Sequence, residues 1–195
     1  NNILSSHRVI KIDATEENKS LDRMPGYVNE LVSLKIKRGE KLVAIGGGIV
    51  QDITCFLSST VMRGLVWIFY PTTLLAQSDS CIGSKSSINS GEYKNILGTF
   101  LPPESVVIDV DFLKTLEKRE IFSGVGEMIK IHAIRGPESF NLISDSYEKI
   151  LSNLTVMEEF IFNSLSMKKK LIEIDEFDQG PRNVLNYGHS FGHAI

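Results

Sequence analysis

The order of apolar runs predicts an α/β half followed by an all-helical half. Three observations carry this reading. Short β-rich runs alternate with helical patterns from Arg8 to about Val110, no such strand recurs from about Asp111 onward, and a series of helical patterns follows. The division predicts domains at 1–112 and 113–195. In the first half the runs are VIKID (Val9 to Asp13), a helix over Leu21 to Leu34, KLVAIGGG (Lys41 to Gly48), a helix from about Val50 to Thr60, VWIFY (Val66 to Tyr70) and SVVIDV (Ser105 to Val110). Short apolar strands alternating with helices imply a parallel sheet covered on both faces. In the second half, helices are predicted over roughly 119–134, 137–151, 154–173 and 181–195, with Gly180 and Pro181 punctuating the last gap. A cleft between the halves is the expected place for chemistry.

The chain has 195 residues, 42% hydrophobic content and a net charge of −3. That length can bury a real core. The charge gives no general reason to bind nucleic acid or an anionic membrane, so an anion must be caught by local cations. Cys55 and Cys81 lack CxxC spacing and read as reduced cysteines of a cytoplasmic protein. Asn1 to His7 show no basic-then-apolar signal pattern, and no run of apolar residues is long enough to span a membrane. The chain begins without methionine and stops inside a helical pattern, which points to a longer protein.

Several constellations carry chemistry. Gly46, Gly47 and Gly48 fall between a strand and a helix, where bare backbone and a helix N-terminus would suit a phosphate or pyrophosphate, although a tight turn also uses glycines. The GxGxxG spacing is absent. Pro71-Thr72-Thr73 is a second strand-to-helix turn, where capping is the default role and cofactor contact the alternative. The polar loop SDSCIGSKSSINSGEYKN carries Asp79, Lys85, Asn89, Lys94 and Asn95 among small residues, room for an anion or simply a solvated loop. Arg63, in the turn before Gly64, is equally open. Glu127 and Lys130 lie one turn apart in an apolar helix, either as an ion pair or with Glu127 as an oxygen ligand. Arg182, Asn186, His189 and His193 follow at helical steps, placing a cation, an amide and two imidazoles on one stripe. His189 could join Glu127 on a divalent metal, with His193 a third ligand, an acid, a base or an anion donor.

The ordered segments GGGIVQD (Gly46 to Asp52), MRG (Met62 to Gly64), PTTLLAQSDS (Pro71 to Ser80), IGSK (Ile82 to Lys85), Lys94-Asn95, GEMIK (Gly126 to Lys130) and RNVLNYGHSFGHAI (Arg182 to Ile195) resemble the 3-dehydroquinate synthases and related sugar phosphate cyclases. The resemblance implies a Rossmann-like NAD-binding domain followed by a helical metal-binding domain. It also implies a lyase that converts a seven-carbon sugar acid phosphate into a carbocycle. Transient oxidation of a ring hydroxyl, β-elimination of phosphate, return of the hydride and intramolecular aldol closure would follow one another, with NAD recycled. Carried over by position, Gly46, Gly47 and Gly48 would hold the NAD pyrophosphate. Asp52, Thr72 and Thr73 would lie close to the cofactor, and Glu16 and Lys19 would grip its adenosine end. Glu127 and His189 would bind Zn²⁺ or Co²⁺, with a third ligand, a histidine, expected beyond Ile195 together with a substrate lysine. Asp79 would meet the ring hydroxyls. Lys85, Asn95, Asn186 and His193 would surround the substrate phosphate, and Lys130 would stand beside the reacting carbons. Lys168 and Arg182 would receive the substrate carboxylate, and Arg63 would reach a neighbouring subunit of a homodimer.

The resemblance thus implies 3-deoxy-D-arabino-heptulosonate 7-phosphate as substrate and 3-dehydroquinate as product. Lys168 with Arg182 favours an acidic sugar over the neutral glucose 6-phosphate used by 2-deoxy-scyllo-inosose synthase, while Gly83-Ser84-Lys85-Ser86 departs from the Gly-Gly-Lys-Thr of typical 3-dehydroquinate synthases and Gly98 to Phe100 resembles the inosose branch. Iron-dependent alcohol or glycerol dehydrogenases, and a remnant that binds without turnover, are the remaining alternatives.

Overall fold

A computed structural model describes residues 8–186. The chain divides into two compact units, which among these residues comprise 8–71 with 84–107, and 72–83 with 108–186. The segment 72–83 thus packs with the helices that follow it in sequence.

The first unit contains α1 (Met24–Ser33), β1 (Lys41–Gly46), α2 (Gly48–Thr60), β2 (Val66–Pro71), β3 (Ile88–Ser90), β4 (Tyr93–Leu97) and β5 (Ser105–Val106). Strands β1, β2 and β5 form a parallel sheet in that order, with Leu42 beside Trp67 and Ala44 beside Phe69. The α/β reading with a parallel sheet therefore holds. The sheet is buried on one face only: Ala44, Trp67 and Phe69 are inside, whereas Val43 is 50% exposed and Ile45 44%. A single crossover helix, α2, joins β1 to β2, and one crossover covers one face. The expectation of cover on both faces fails among the described residues.

Three local readings are also corrected. Val9 to Asp13 form no strand: Ile10 and Ile12 turn toward the α1–α2 core with the right period of two, but the segment makes no ladder. Alternating burial alone satisfies its side chains. The run from Ser105 to Val110 pairs only through Ser105–Val106 and the Val107 N–H to the Phe69 carbonyl, because Asp109 then caps a 3₁₀ turn over Val110–Thr115. The polar loop contains the antiparallel hairpin β3–β4, turning through Gly91 at φ +57°. Its strands are too short and too polar to show a period.

The second unit is helical: a π turn at Ala76–Ser80, then α3 (Lys118–Arg135), α4 (Pro137–Asp145), α5 (Tyr147–Ser152) and α6 (Leu154–Ile174). Gly136 at φ +125° ends α3, and Pro137 opens α4. The helix predicted over 137–151 breaks at Ser146, letting Ile143 and Ile150 both reach the core with Leu74, Met128 and Phe160. Asn153 caps α6 through the N–H groups of Thr155 and Val156. The described part of the predicted last helix, Pro181–Asn186, is 3₁₀. Among the described residues no helix is long and apolar enough to cross a membrane, and Cys55 and Cys81 are free and buried.

His132 on α3 is fully buried against Phe160, its Nδ1 2.9 Å from Ser139 Oγ and its Nε2 without a hydrogen-bond partner. Burial pushes its pKa down, outweighing the Ser139 carbonyl that pulls it up. The unfolded chain therefore takes the proton first. Stability should be full above the ordinary histidine value of about 6.5 and fall as pH drops toward the folded value. Thermal midpoints measured across that range should decline toward acid, and His132→Leu should flatten the slope; an equal slope in both proteins would remove His132 as its source.

Candidate functional site

In the first unit, Gly46 ends β1 where a Cβ would lie 2.6 Å from Val50 Cγ2, so glycine alone lets the strand end pack onto α2. Gly47 is the N-cap of α2, with no side-chain cap bond and no acidic residue in the first turn. Beside Gly48 the space is open. Bare backbone, an uncapped helix start and open space together suit an anion.

Beside α2 lies a polar network centred on Lys19, which is 6% exposed. Its Nζ reaches Asn95 Oδ1 at 2.8 Å, Asp52 Oδ2 at 3.2 Å, Ser87 Oγ at 3.3 Å and Glu16 Oε1 at 3.5 Å. Asp52 also accepts the Ser87 N–H and hydroxyl, both at 3.0 Å. Burial pushes Asp52 up, against the pull of Lys19 and Ser87. A lysine buried this deeply needs such partners. The structure thus brings together Glu16, Lys19, Asp52 and Asn95, which the sequence divides between cofactor and phosphate. Lys85 is exposed and bridges to Phe100 through the backbone. Arg63 is exposed at φ +67°, in a turn whose neighbours Met62 and Gly64 also have positive φ.

In the second unit, Thr73 Oγ1 accepts the Ala76 N–H, the capping role expected of that turn, and Thr72 stands half-buried beside it. The π turn that follows carries Asp79. Lys168 on α6 donates to Asp79 Oδ1 at 2.8 Å and to its carbonyl at 2.7 Å. Arg182, 5% exposed, donates to the carbonyls of Gly83 at 3.3 Å and Glu176 at 2.5 Å. Gly83 has φ +114°, and a Cβ there would lie 2.5 Å from Arg182 Nη2. Both predicted carboxylate-binding cations therefore end on one short stretch, Asp79 to Gly83. On α3, Lys130 Nζ lies 2.5 Å from Glu127 Oε1 and donates to the Leu185 carbonyl at 2.8 Å. Glu127 thus makes the ion pair. Asn186 is exposed, its Nδ2 3.4 Å from Asn183 Oδ1, while Arg182 is buried. The two do not form a stripe, because a 3₁₀ turn repeats every three residues rather than every 3.6. His189 and His193 lie outside the described residues. Among the described residues no group of three or more His, Cys, Asp and Glu could hold a metal ion.

The family model described as 3-dehydroquinate synthase N-terminal matches residues 9–123, and the one described as 3-dehydroquinate synthase C-terminal matches 124–195. The chain belongs to the 3-dehydroquinate synthase family. It is 40% identical over 193 residues to the 3-dehydroquinate synthase of Dictyoglomus thermophilum, covering 98% of this chain and 54% of that protein. Among solved structures, the 2-epi-5-epi-valiolone synthase of Streptomyces hygroscopicus subsp. jinggangensis 5008, with NAD⁺ and Zn²⁺ bound, matches with a TM-score of 0.85 and 27% identity over 92% of this chain and 51% of that one. A 2-deoxy-scyllo-inosose synthase complexed with carbaglucose-6-phosphate, NAD⁺ and Co²⁺ matches with 0.84 and 26%, over 96% and 52%. The chain spans about half the length of the curated relatives it matches.

Within this member of the 3-dehydroquinate synthase family, sequence reasoning gave no role to Asp175 and none of their own to Ser87 and Asn89, which it read only as part of a polar loop. Asp175 accepts the N–H groups of Gln179, Gly180 and Arg182, fixing the turn that presents Arg182. An aspartate four residues before a Gln-Gly pair is a turn signal that could have found it. Ser87 and Asn89 carry no such signal. Only their partners mark them.

Proposed function

We propose that the protein is a 3-dehydroquinate synthase, releasing phosphate from 3-deoxy-D-arabino-heptulosonate 7-phosphate and closing the carbocycle. The observation that carries the choice of substrate is that two buried cations, Lys168 and Arg182, meet the stretch holding Asp79. An acidic sugar needs cations where its carboxylate rests; a neutral sugar phosphate does not.

NAD⁺ suits the uncapped start of α2, where Gly46, Gly47 and Gly48 would take the pyrophosphate and Glu16 and Lys19, with Asp52 behind them, the adenosine end. Thr72 and Thr73 would flank the cofactor. Glu127 offers a partly buried carboxylate oxygen, a donor that Zn²⁺ and Co²⁺ both accept, with His189 as the nitrogen partner. When bound, the cofactor would supply reversible hydride acceptance, and the metal would polarise the reacting oxygen.

The chain's own residues do the rest. Asp79, fixed by Lys168, would accept ring hydroxyls at a set angle. Lys130, held between Glu127 and the Leu185 carbonyl, would stand as a hydrogen-bond donor beside the reacting carbons. Lys85, Asn95, Asn186 and His193 would receive the departing phosphate, and Arg63 would complete the site of a second copy in a homodimer.

The test is a product assay on the complete protein with 3-deoxy-D-arabino-heptulosonate 7-phosphate. Equal amounts of dehydroquinate and phosphate should form with no net NADH. Turnover of glucose 6-phosphate instead would move the protein to the inosose branch, and stoichiometric NADH without phosphate would make it a dehydrogenase.

A further inference from the structure

Asn89 has no part in the reading above, yet it closes a ring with three residues that do. Its side chain is buried, with 7% of the residue exposed. Nδ2 donates to Glu16 Oε1 at 2.8 Å, and Oδ1 accepts the Asn95 N–H at 2.8 Å. Lys19 joins the other two ends, with Nζ 2.8 Å from Asn95 Oδ1 and 3.5 Å from Glu16 Oε1. The Asn89 N–H also donates to the Lys19 carbonyl at 2.9 Å, so the same residue fixes the backbone from which Lys19 projects. A carboxylate only accepts and an ammonium only donates; a primary amide does both from one planar group, as this position requires. Asn95 has φ +55°, off the regular strand path, and the bond to Asn89 holds its N–H there.

We propose that Asn89 is a positioning residue that couples the cofactor-side pair, Glu16 and Lys19, to the phosphate-side Asn95. The inference rests on the NAD⁺ role given to Glu16 and Lys19 above. It touches neither ligand itself. It sets the carboxylate and the ammonium that would meet the adenosine end and, through the same amide, the residue that would meet phosphate.

The experiment is a fluorescence titration of the complete protein with NAD⁺ from about pH 8 to about pH 5, on wild type, Asn89→Asp and Asn89→Ala. In Asn89→Asp the acceptor for Asn95 survives, but a second carboxylate faces Glu16, whose charged partner is Lys19, itself paired with Asp52. NAD⁺ should bind on the order of tenfold more weakly at the upper pH. As pH falls, the introduced carboxyl takes up a proton, regains a donor toward Glu16 and should recover affinity. Asn89→Ala should lose affinity without recovery. Partial unfolding cannot produce recovery in acid. Affinity within about twofold of wild type in the aspartate variant, or a loss that acid leaves in place, overturns the proposal. Should that variant fail to fold, unchanged affinity in Asn89→Ala overturns it equally. Wild-type protein that binds no NAD⁺ overturns the underlying cofactor reading as well, which separates the two failures.

Discussion

Glu127→Gln is expected to strip the divalent metal and cut turnover by at least about a hundredfold while leaving the helical unit folded. Changes to groups that merely support a metal ligand already cost about tenfold to a hundredfold, so loss of the ligand's charge should reach or exceed the upper end. The fold should survive because glutamine keeps an oxygen that can accept from Lys130, whose second bond goes to the Leu185 carbonyl. Metal content by atomic emission, the phosphate-release rate and the thermal midpoint together decide it. Undiminished metal in a folded variant would remove Glu127 from the metal site and leave it as the ion-pair partner of Lys130.

Gly124→Val should lower stability by about 3 kcal/mol, roughly 6–12 °C in thermal midpoint for a chain of this size. A Cβ on Gly124 would lie 2.5 Å from Leu74 Cγ, 2.6 Å from Leu74 Cβ and 2.8 Å from the Leu75 nitrogen. Leu74 is fully buried and a backbone nitrogen cannot step aside, so α3 must move. Alanine recovers about 1 kcal/mol of helix propensity over glycine, which offsets much of its smaller clash, so Gly124→Ala should lose only about 1 kcal/mol. Valine recovers less and adds two methyl groups. Glu127 and Lys130 lie one and two turns further along α3, so the valine variant should also lose activity beyond what its folded fraction explains. A midpoint within about 1 °C of wild type would mean the helix and the 72–83 segment do not pack as described.

Where the sequence misled, the cause is physical in each case. Val9 to Asp13 has a strand's side-chain period, but a strand also needs a neighbour for its backbone, and period cannot report one. Ser146 interrupts a helix whose apolar pattern reads straight through, because the pattern is preserved when two short helices share a core. Positive φ at Ser84 could not be seen in a serine, a residue that rarely adopts it. The hairpin over Ile88 to Leu97 was hidden because its Asn89 and Asn95 side chains bond to Glu16, Lys19 and the hairpin's own backbone rather than alternate between core and water.

The sequence by itself determined the α/β and helical character of the chain, the glycine turn before α2, the free cysteines and membership of the family, since all of these depend on residue type and local order. Only the tertiary structure decided that Lys19, Asp52, Ser87, Asn89 and Asn95 share one network and that Lys168 and Arg182 end on the same stretch as Asp79. Hydrogen bonds between residues tens of positions apart depend on how the backbone returns on itself, and that path is set by the packing of the whole unit rather than by any local run of side chains.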